Sequence, residues 1–159
     1  MSSRSVIRVA ATAALFLSAC GSTSSPYQAA SSPSPAASPT VEEATITVAG
    51  TQEMVLTTSS GLTLYYLTTD IATAPKCSGA CLAHWPPLLS TGSPTGMVGL
   101  PGTLTVAQNA NGSQVAYNGH LLYEFATDKA NGDAKGEGIQ AFGGVWHVAT
   151  PALASVPKY

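Results

Sequence analysis

Gly61-Leu-Thr-Leu-Tyr65-Tyr-Leu-Thr-Thr-Asp70 and Gly119-His-Leu-Leu-Tyr123-Glu-Phe-Ala-Thr-Asp128 lie 58 positions apart and align without a gap. Upstream, Thr45-Ile-Thr-Val-Ala49 falls on Thr103-Leu-Thr-Val-Ala107 at the same offset. A constant register across two separated blocks marks an internal repeat. Farther along, Trp85-Pro-Pro-Leu88 and Trp146-His-Val-Ala149 are 61 apart, so the intervening loop is three residues longer in the second copy. The folded part is therefore read as residues 44–157, with one repeat at about 44–100 and a second at about 101–150. Units this short bury too little surface to be stable alone, so the two are expected to share one core.

The local chemistry is mainly β. Ile46 to Ala49, Met54 to Thr58, Leu62 to Thr68, Leu104 to Gln108, Gln114 to Tyr117 and His120 to Ala126 are short and rich in β-branched or aromatic residues. Asn118-Gly119 tolerates the positive φ of a tight hairpin turn, and Ser60-Gly61 stands at the same point of the first copy. Each tyrosine then lies on the strand that leaves a turn, each aspartate closes that strand, and Thr150-Pro151 ends the last one. One short helix is expected over Ser78–His84, with Ser78 as its N-cap and Pro86 blocking continuation.

Ahead of this domain the chain changes character. Arg4 and Arg8 precede an uncharged run, Val9 to Ala19, which at about eleven residues is too short for the roughly 20 needed to span a bilayer. That is the plan of a secretory signal. Leu17-Ser-Ala-Cys20 resembles the lipobox of bacterial lipoproteins, which implies cleavage after residue 19 and a diacylglycerol on the Cys20 thiol. Apart from Tyr27 and Gln28, the chain from Gly21 to Thr40 is Ser, Pro, Ala, Thr and Gly. The segment 20–43 is expected to be a disordered linker, extended by Pro26, Pro33, Pro35 and Pro39 at roughly 3 Å per residue. Processing would leave four lysines against eight carboxylates, a net charge of −4. Charge would then not hold the body to anionic lipid, and the acyl anchor would have to do so alone.

Composition excludes much else. Charged residues are 9% of 159, against roughly 25% in an ordinary soluble protein, and the six Lys/Arg are scattered singly. No basic patch exists to neutralise phosphates, so nucleic acid is not an expected partner. Length allows one domain and excludes an enzyme built from separate cofactor and substrate domains.

Tyr-x4-Asp occurring twice, with Cys-x3-Cys shortly before Trp-Pro-Pro-Leu, resembles the secreted-repeat lipoprotein family, bacterial envelope proteins with a Tyr-x-aromatic-x-x-Asp signature. The second copy fits throughout; the first carries Leu67 at the aromatic position. The resemblance implies a location and a repeat architecture and supplies no activity.

Cys77 and Cys81 are expected to form a disulfide in an oxidising compartment, closing so short a loop that it stabilises by only about 2 kcal/mol. The alternative is a redox or copper-handling pair with His84 one turn on. Copper-delivery proteins with Cys-x3-Cys run directly into proline, however, whereas Leu82 follows here. Haem attachment needs histidine directly after the second cysteine, and Leu82-Ala83 intervene. His120 and His147 read as half-exposed strand positions, not ligands. Asn111-Gly-Ser matches a glycosylation acceptor by spelling only. Asp128 to Glu137 lacks the alternating acids of a Ca²⁺ loop and reads as a solvated connection. No Gly-x-Ser-x-Gly, phosphate loop or His-Glu-x-x-His is present.

Tyr65, Asp70, Trp85, Tyr123, Asp128 and Trp146 then admit two readings. Either the rings pack and the aspartates cap turns, or both sets converge on a pseudo-twofold axis and bind a small polar ligand or cation. The scaffold reading is favoured, because a scaffold needs the same turn twice whereas a catalytic site uses unlike residues. The sequence thus points to a lipid-anchored, extracytoplasmic, non-enzymatic binding or structural module at the cell membrane. It needs no metal or cofactor, and its partner beyond the membrane is left open.

Overall fold

The structure, a computed structural model, describes residues 40–156. The leader at 1–19, Cys20 and the linker up to residue 39 lie outside the described residues. Among the described residues, eight strands form three small antiparallel sheets. Strands β1 (Val41–Val48) and β2 (Thr51–Thr58) make the first. Strand β3 (Tyr65–Leu67) pairs with β8 (Gly144–Val148), which pairs with β7 (Gln140–Ala141). The third comprises β4 (Leu104–Asn109), β5 (Gly112–Tyr117) and β6 (His120–Leu121). The domain is mainly β, as its composition of short β-branched runs requires.

The expected helix is a 3₁₀ turn, Gly79–Ala83, and Ser78 offers it no side-chain cap. A chain tied by Cys77 and Cys81 and followed by Pro86-Pro87 has room for one tight turn only. Sheet structure begins at Val41, ahead of the expected boundary at 44. Val41 is fully buried, and its N–H and that of Thr40 both bond to the Thr95 carbonyl. The β7–β8 hairpin was not legible as a pair; it turns on Phe142-Gly143, both at positive φ.

Two features define the relation of the repeats. First, they exchange their closing strands. β3 of the first repeat is covered by β8 of the second, and the Ala149 N–H bonds to the Leu64 carbonyl at 2.8 Å. Reciprocally, the Leu88 N–H bonds to the Leu122 carbonyl at 2.9 Å and the Ala126 N–H to the His84 carbonyl at 2.8 Å. At the centre Tyr65 and Tyr123 exchange backbone bonds of 2.8 and 2.9 Å with each other, which puts the pseudo-twofold axis between them.

Second, the 58-residue register does not survive in the leading hairpins. Leu64 N–H bonds to Leu56 O and Leu122 N–H to Val115 O, so Leu56 and Val115 are equivalent. Their ladder partners are Glu43 and Val106. Val41 therefore matches Leu104, and Ala44 matches Ala107, rather than Thr45 matching Thr103. Burial agrees, since Val41 and Leu104 pack in one apolar cluster while Ala44 and Ala107 pack against the other. The cause is a longer β1–β2 arm, whose turn at Ala49-Gly50 reaches farther from the shared core than that at Ala110-Asn111. The turn before the tyrosine strand also differs, since Thr58 bonds across to Leu62 whereas Tyr117 pairs with His120.

The Asn118-Gly119 turn adopts φ of 51° and 89°, as a two-residue hairpin requires. Its asparagine also fastens two neighbours. Oδ1 accepts the Thr103 N–H at 2.9 Å, and Nδ2 donates to the Leu153 carbonyl at 2.7 Å. Asn118→Ala loses both bonds and places a Cβ-only residue at positive φ. Urea denaturation should show a loss of about 2 kcal/mol with an unchanged denaturant slope.

Candidate functional site

Tyr65 leaves the Ser60-Gly61 turn on β3, and Tyr123 leaves Asn118-Gly119 just beyond β6, so both side chains enter the core from the central pair of strands. Asp70 and Asp128 each close a turn, with Asp70 N–H bonded to Leu67 O and Asp128 N–H to Phe125 O. The hydroxyls do not serve their own repeat. Tyr65 Oη donates to Asp128 Oδ2 at 2.6 Å, and Tyr123 Oη donates to Asp70 Oδ2 at 2.6 Å. Each carboxylate's other oxygen holds the next loop. Asp70 Oδ1 accepts the Lys76 and Cys77 N–H groups, and Asp128 Oδ1 accepts that of Lys135.

Between these pairs stand the tryptophans. Trp85 and Trp146 stack face to face, centroids 3.7 Å apart and planes 3° from parallel. Tyr65 meets Trp85 edge-on at 5.4 Å, Tyr123 meets Trp146 edge-on at 5.1 Å, and Phe125 stacks on the outer face of Trp85 at 4.3 Å. Both tyrosines and both tryptophans are at most 1% exposed. Gly136 completes the wall. A Cβ there would come within 2.8 Å of both Trp85 and Tyr65, and its N–H reaches Tyr65 Oη at 3.3 Å.

The six residues singled out from the repeat thus converge on the axis, the four rings and Asp128 buried and Asp70 half-buried. Burial, then the bond to the facing carboxylate, pushes both phenols well above their usual range. Such a phenol stays protonated and donating. Carboxylates accepting several bonds in this setting fasten loops.

Cys77 and Cys81 are joined in a disulfide, their Cα atoms 5.3 Å apart, and both are buried in the larger apolar cluster. His84 is exposed, its ring 6.4 Å from that of Phe142. His120 Nε2 lies 3.0 Å from the Ala154 carbonyl, and burial lowers its pKa. His147 Nδ1 lies 2.7 Å from Glu137 Oε1. Among the described residues no group of three His, Cys, Asp or Glu could hold a metal.

The loop from Asp128 to Glu137 is solvated over residues 129–132 and at Lys135, as expected, but it is also fastened to the core. Asp128 and Gly136 are buried, Asp133 Oδ2 gathers the N–H groups of Lys129 and Ala130 and the Lys135 ammonium, and Glu137 Oε2 accepts the Val148 N–H. Those bonds hold the Asp133 carboxyl down at about 2. Sequence reasoning also missed a buried amide cluster. Gln114 is fully buried, donates to the Leu122 carbonyl, and accepts from Asn109 and Asn111. Asn111 additionally donates to Cys77 O, so the residue that spells an acceptor site fastens the disulfide segment instead. Nothing in the alternation of Gln114-Val-Ala-Tyr117, buried at every position, announces this role.

Residues 105–150 match a family described as a secreted repeat of unknown function, the family that the Tyr-x4-Asp pattern resembles. The match covers the second repeat, and the first repeats its geometry about the axis. A secreted repeat belongs outside the cytoplasm, the compartment in which a disulfide such as Cys77–Cys81 persists. No curated protein and no solved structure matches the chain.

The crossed geometry predicts which pairs are coupled. In double-mutant cycles, Tyr65→Phe with Asp128→Asn should show a coupling of about 1.5–3 kcal/mol, the range for hydrogen bonds to charged groups. Tyr65→Phe with Asp70→Asn, the pair within one motif, should couple less.

The same phenols set an alkaline limit. A folded pKa above the unfolded value of about 10 leaves stability intact below that pH and drains it above, because only the unfolded chain releases the proton. Phenolate absorbance from Tyr65 and Tyr123 should therefore appear only together with unfolding. Stability of Tyr65→Phe/Tyr123→Phe should fall less steeply above pH 10.

Proposed function

We propose that the protein is a lipid-anchored module of the cell envelope, held at the extracytoplasmic face of the membrane by acylated Cys20, and that it works by binding or spacing and not by catalysis. The observation that supports this best is the fate of the repeat motif. The Tyr65 and Tyr123 hydroxyls are committed to the carboxylate of the opposite copy and so join the two halves, and the remaining oxygens of Asp70 and Asp128 fasten the loops that follow them, which is what a scaffold asks of a duplicated motif. The secreted-repeat match and the leader ending at Leu17-Ser-Ala-Cys20 support the location. Two or three acyl chains on one residue give a durable anchor, whereas a single chain is marginal.

The competing reading, a redox or copper-handling pair at Cys77 and Cys81, needs both sulfurs accessible. They are 0% and 1% exposed, and the nearby His84 turns its ring toward Phe142. Burial of this kind suits a staple that fixes the Lys76–Ala83 turn beneath Trp85.

Cell fractionation tests the reading. The wild-type protein should partition with membranes and, once purified, show no free thiol at Cys77 or Cys81 and no bound copper. Cys20→Ala protein should be recovered wholly in the soluble fraction with its fold unchanged. Equal membrane association of that variant would refute the anchor, and stoichiometric copper would favour the competitor.

A further inference from the structure

Phe125, Trp85, Trp146 and Tyr123 form an unbroken series of ring contacts at 4.3, 3.7 and 5.1 Å, and Tyr65 joins it at Trp85. Packing alone accounts for rings in contact. The bonds that join the repeats also place a proton acceptor at each end of the series. Both tyrosines, one at each end of the tryptophan pair, donate to a carboxylate oxygen at 2.6 Å. Inside the stack the Trp146 Nε1–H is buried and, among the described residues, has no acceptor. An oxidised indole there cannot shed its proton, whereas an oxidised phenol at either end can do so at once.

We propose that this stack is a one-electron relay with two tyrosine termini, open to an outer-sphere one-electron oxidant outside the cytoplasm. Phe125, half-buried against the outer face of Trp85, is its point of closest approach. The oxidant accepts one electron from the stack. The electron deficit passes through Trp85 and Trp146, whose parallel faces give the best overlap in the core, and settles on Tyr65 or Tyr123. As it does so the Oη–H bond breaks and the proton moves to Asp128 Oδ2 or Asp70 Oδ2. The products are a neutral phenoxyl radical, a neutral carboxylic acid and the reduced oxidant. An electron from an outer-sphere donor reverses the step, the proton returning to the phenol oxygen. The carboxylates that join the repeats thus also act as proton acceptors, and the displacement required is one proton over one hydrogen bond. Such a relay would draw oxidising equivalents away from exposed residues and the disulfide into a site shielded from solvent.

Flash-quench oxidation of the purified protein with photogenerated tris(bipyridine)ruthenium(III) tests this. The expected product is a long-lived neutral tyrosyl radical whose electron–nuclear double resonance spectrum shows a strongly coupled proton in a hydrogen bond to the phenoxyl oxygen, protected from rapid exchange. That measurement needs no substitution. In Tyr65→Phe/Tyr123→Phe, verified as folded, the long-lived signal should be lost; in Asp70→Asn/Asp128→Asn its formation should slow with the rings in place. A wild-type radical confined to exposed tyrosines, with its oxygen bonded only to bulk water, would overturn the proposal. So would an undiminished signal in the folded double phenylalanine variant.

Discussion

A carboxylate withdrawn from water is tolerable only where its oxygens are given strong donors, and that constraint organises the domain. Asp128 is 4% exposed and takes the Tyr65 hydroxyl on one oxygen and the Lys135 N–H on the other. The donor must come from the opposite repeat, because the tyrosine of the same motif is turned toward the far side of the axis. Satisfying one buried charge therefore requires both halves in place. The exchanged closing strands impose the same demand through the backbone. The tryptophan pair adds a third, since neither indole could be sheltered without the other. All three act between the repeats, which is why units of marginal size form one cooperative body.

Parts of this were legible before any coordinates. Repeated β-branched runs, Asn118-Gly119 and the short Cys77–Cys81 spacing each carry their meaning locally, through propensity, positive φ and loop length. Recurrence of Tyr-x4-Asp identified the residues that matter. It could not say that each tyrosine serves the other copy's aspartate, because a repeat in sequence fixes which positions are alike and not which copies touch. The leading hairpins misled for a related reason. Thr45–Ala49 and Thr103–Ala107 are alike in spelling because both alternate threonine with apolar residues, yet the longer β1–β2 arm places them at different heights above the core. Val41 was hidden by the acidic pair that follows it, and Gln114 by the hydrophobic company it keeps.

The two repeats also diverge where they carry equivalent loops. Lys76 N–H bonds to Asp70 and Lys135 N–H to Asp128, so the next residues, Cys77 and Gly136, occupy matching places beneath the tyrosine–tryptophan layer. In the first copy that place is held by a covalent link; in the second it is held by a residue with no side chain, in a loop drawn together by Asp133 and Glu137. Different chemistry achieves the same closure. The asymmetry allows Gly136 to lie against Tyr65 and Trp85, where even a methyl group would collide.

The exchange of closing strands has a consequence for the order in which the chain can mature. Bonds that complete the domain join residues 53, 63 and 77 positions apart, whereas the disulfide spans only four. Loop closure over four residues needs nothing from the rest of the chain; closure over the longer spans waits for the second half. A chain emerging amino end first would therefore oxidise Cys77 and Cys81 early and hold the Tyr65 strand with an uncovered edge until Trp146 and its neighbours arrived. During that interval the first half is the vulnerable species, and its apolar strand is what a chaperone of nascent secreted chains would have to shield.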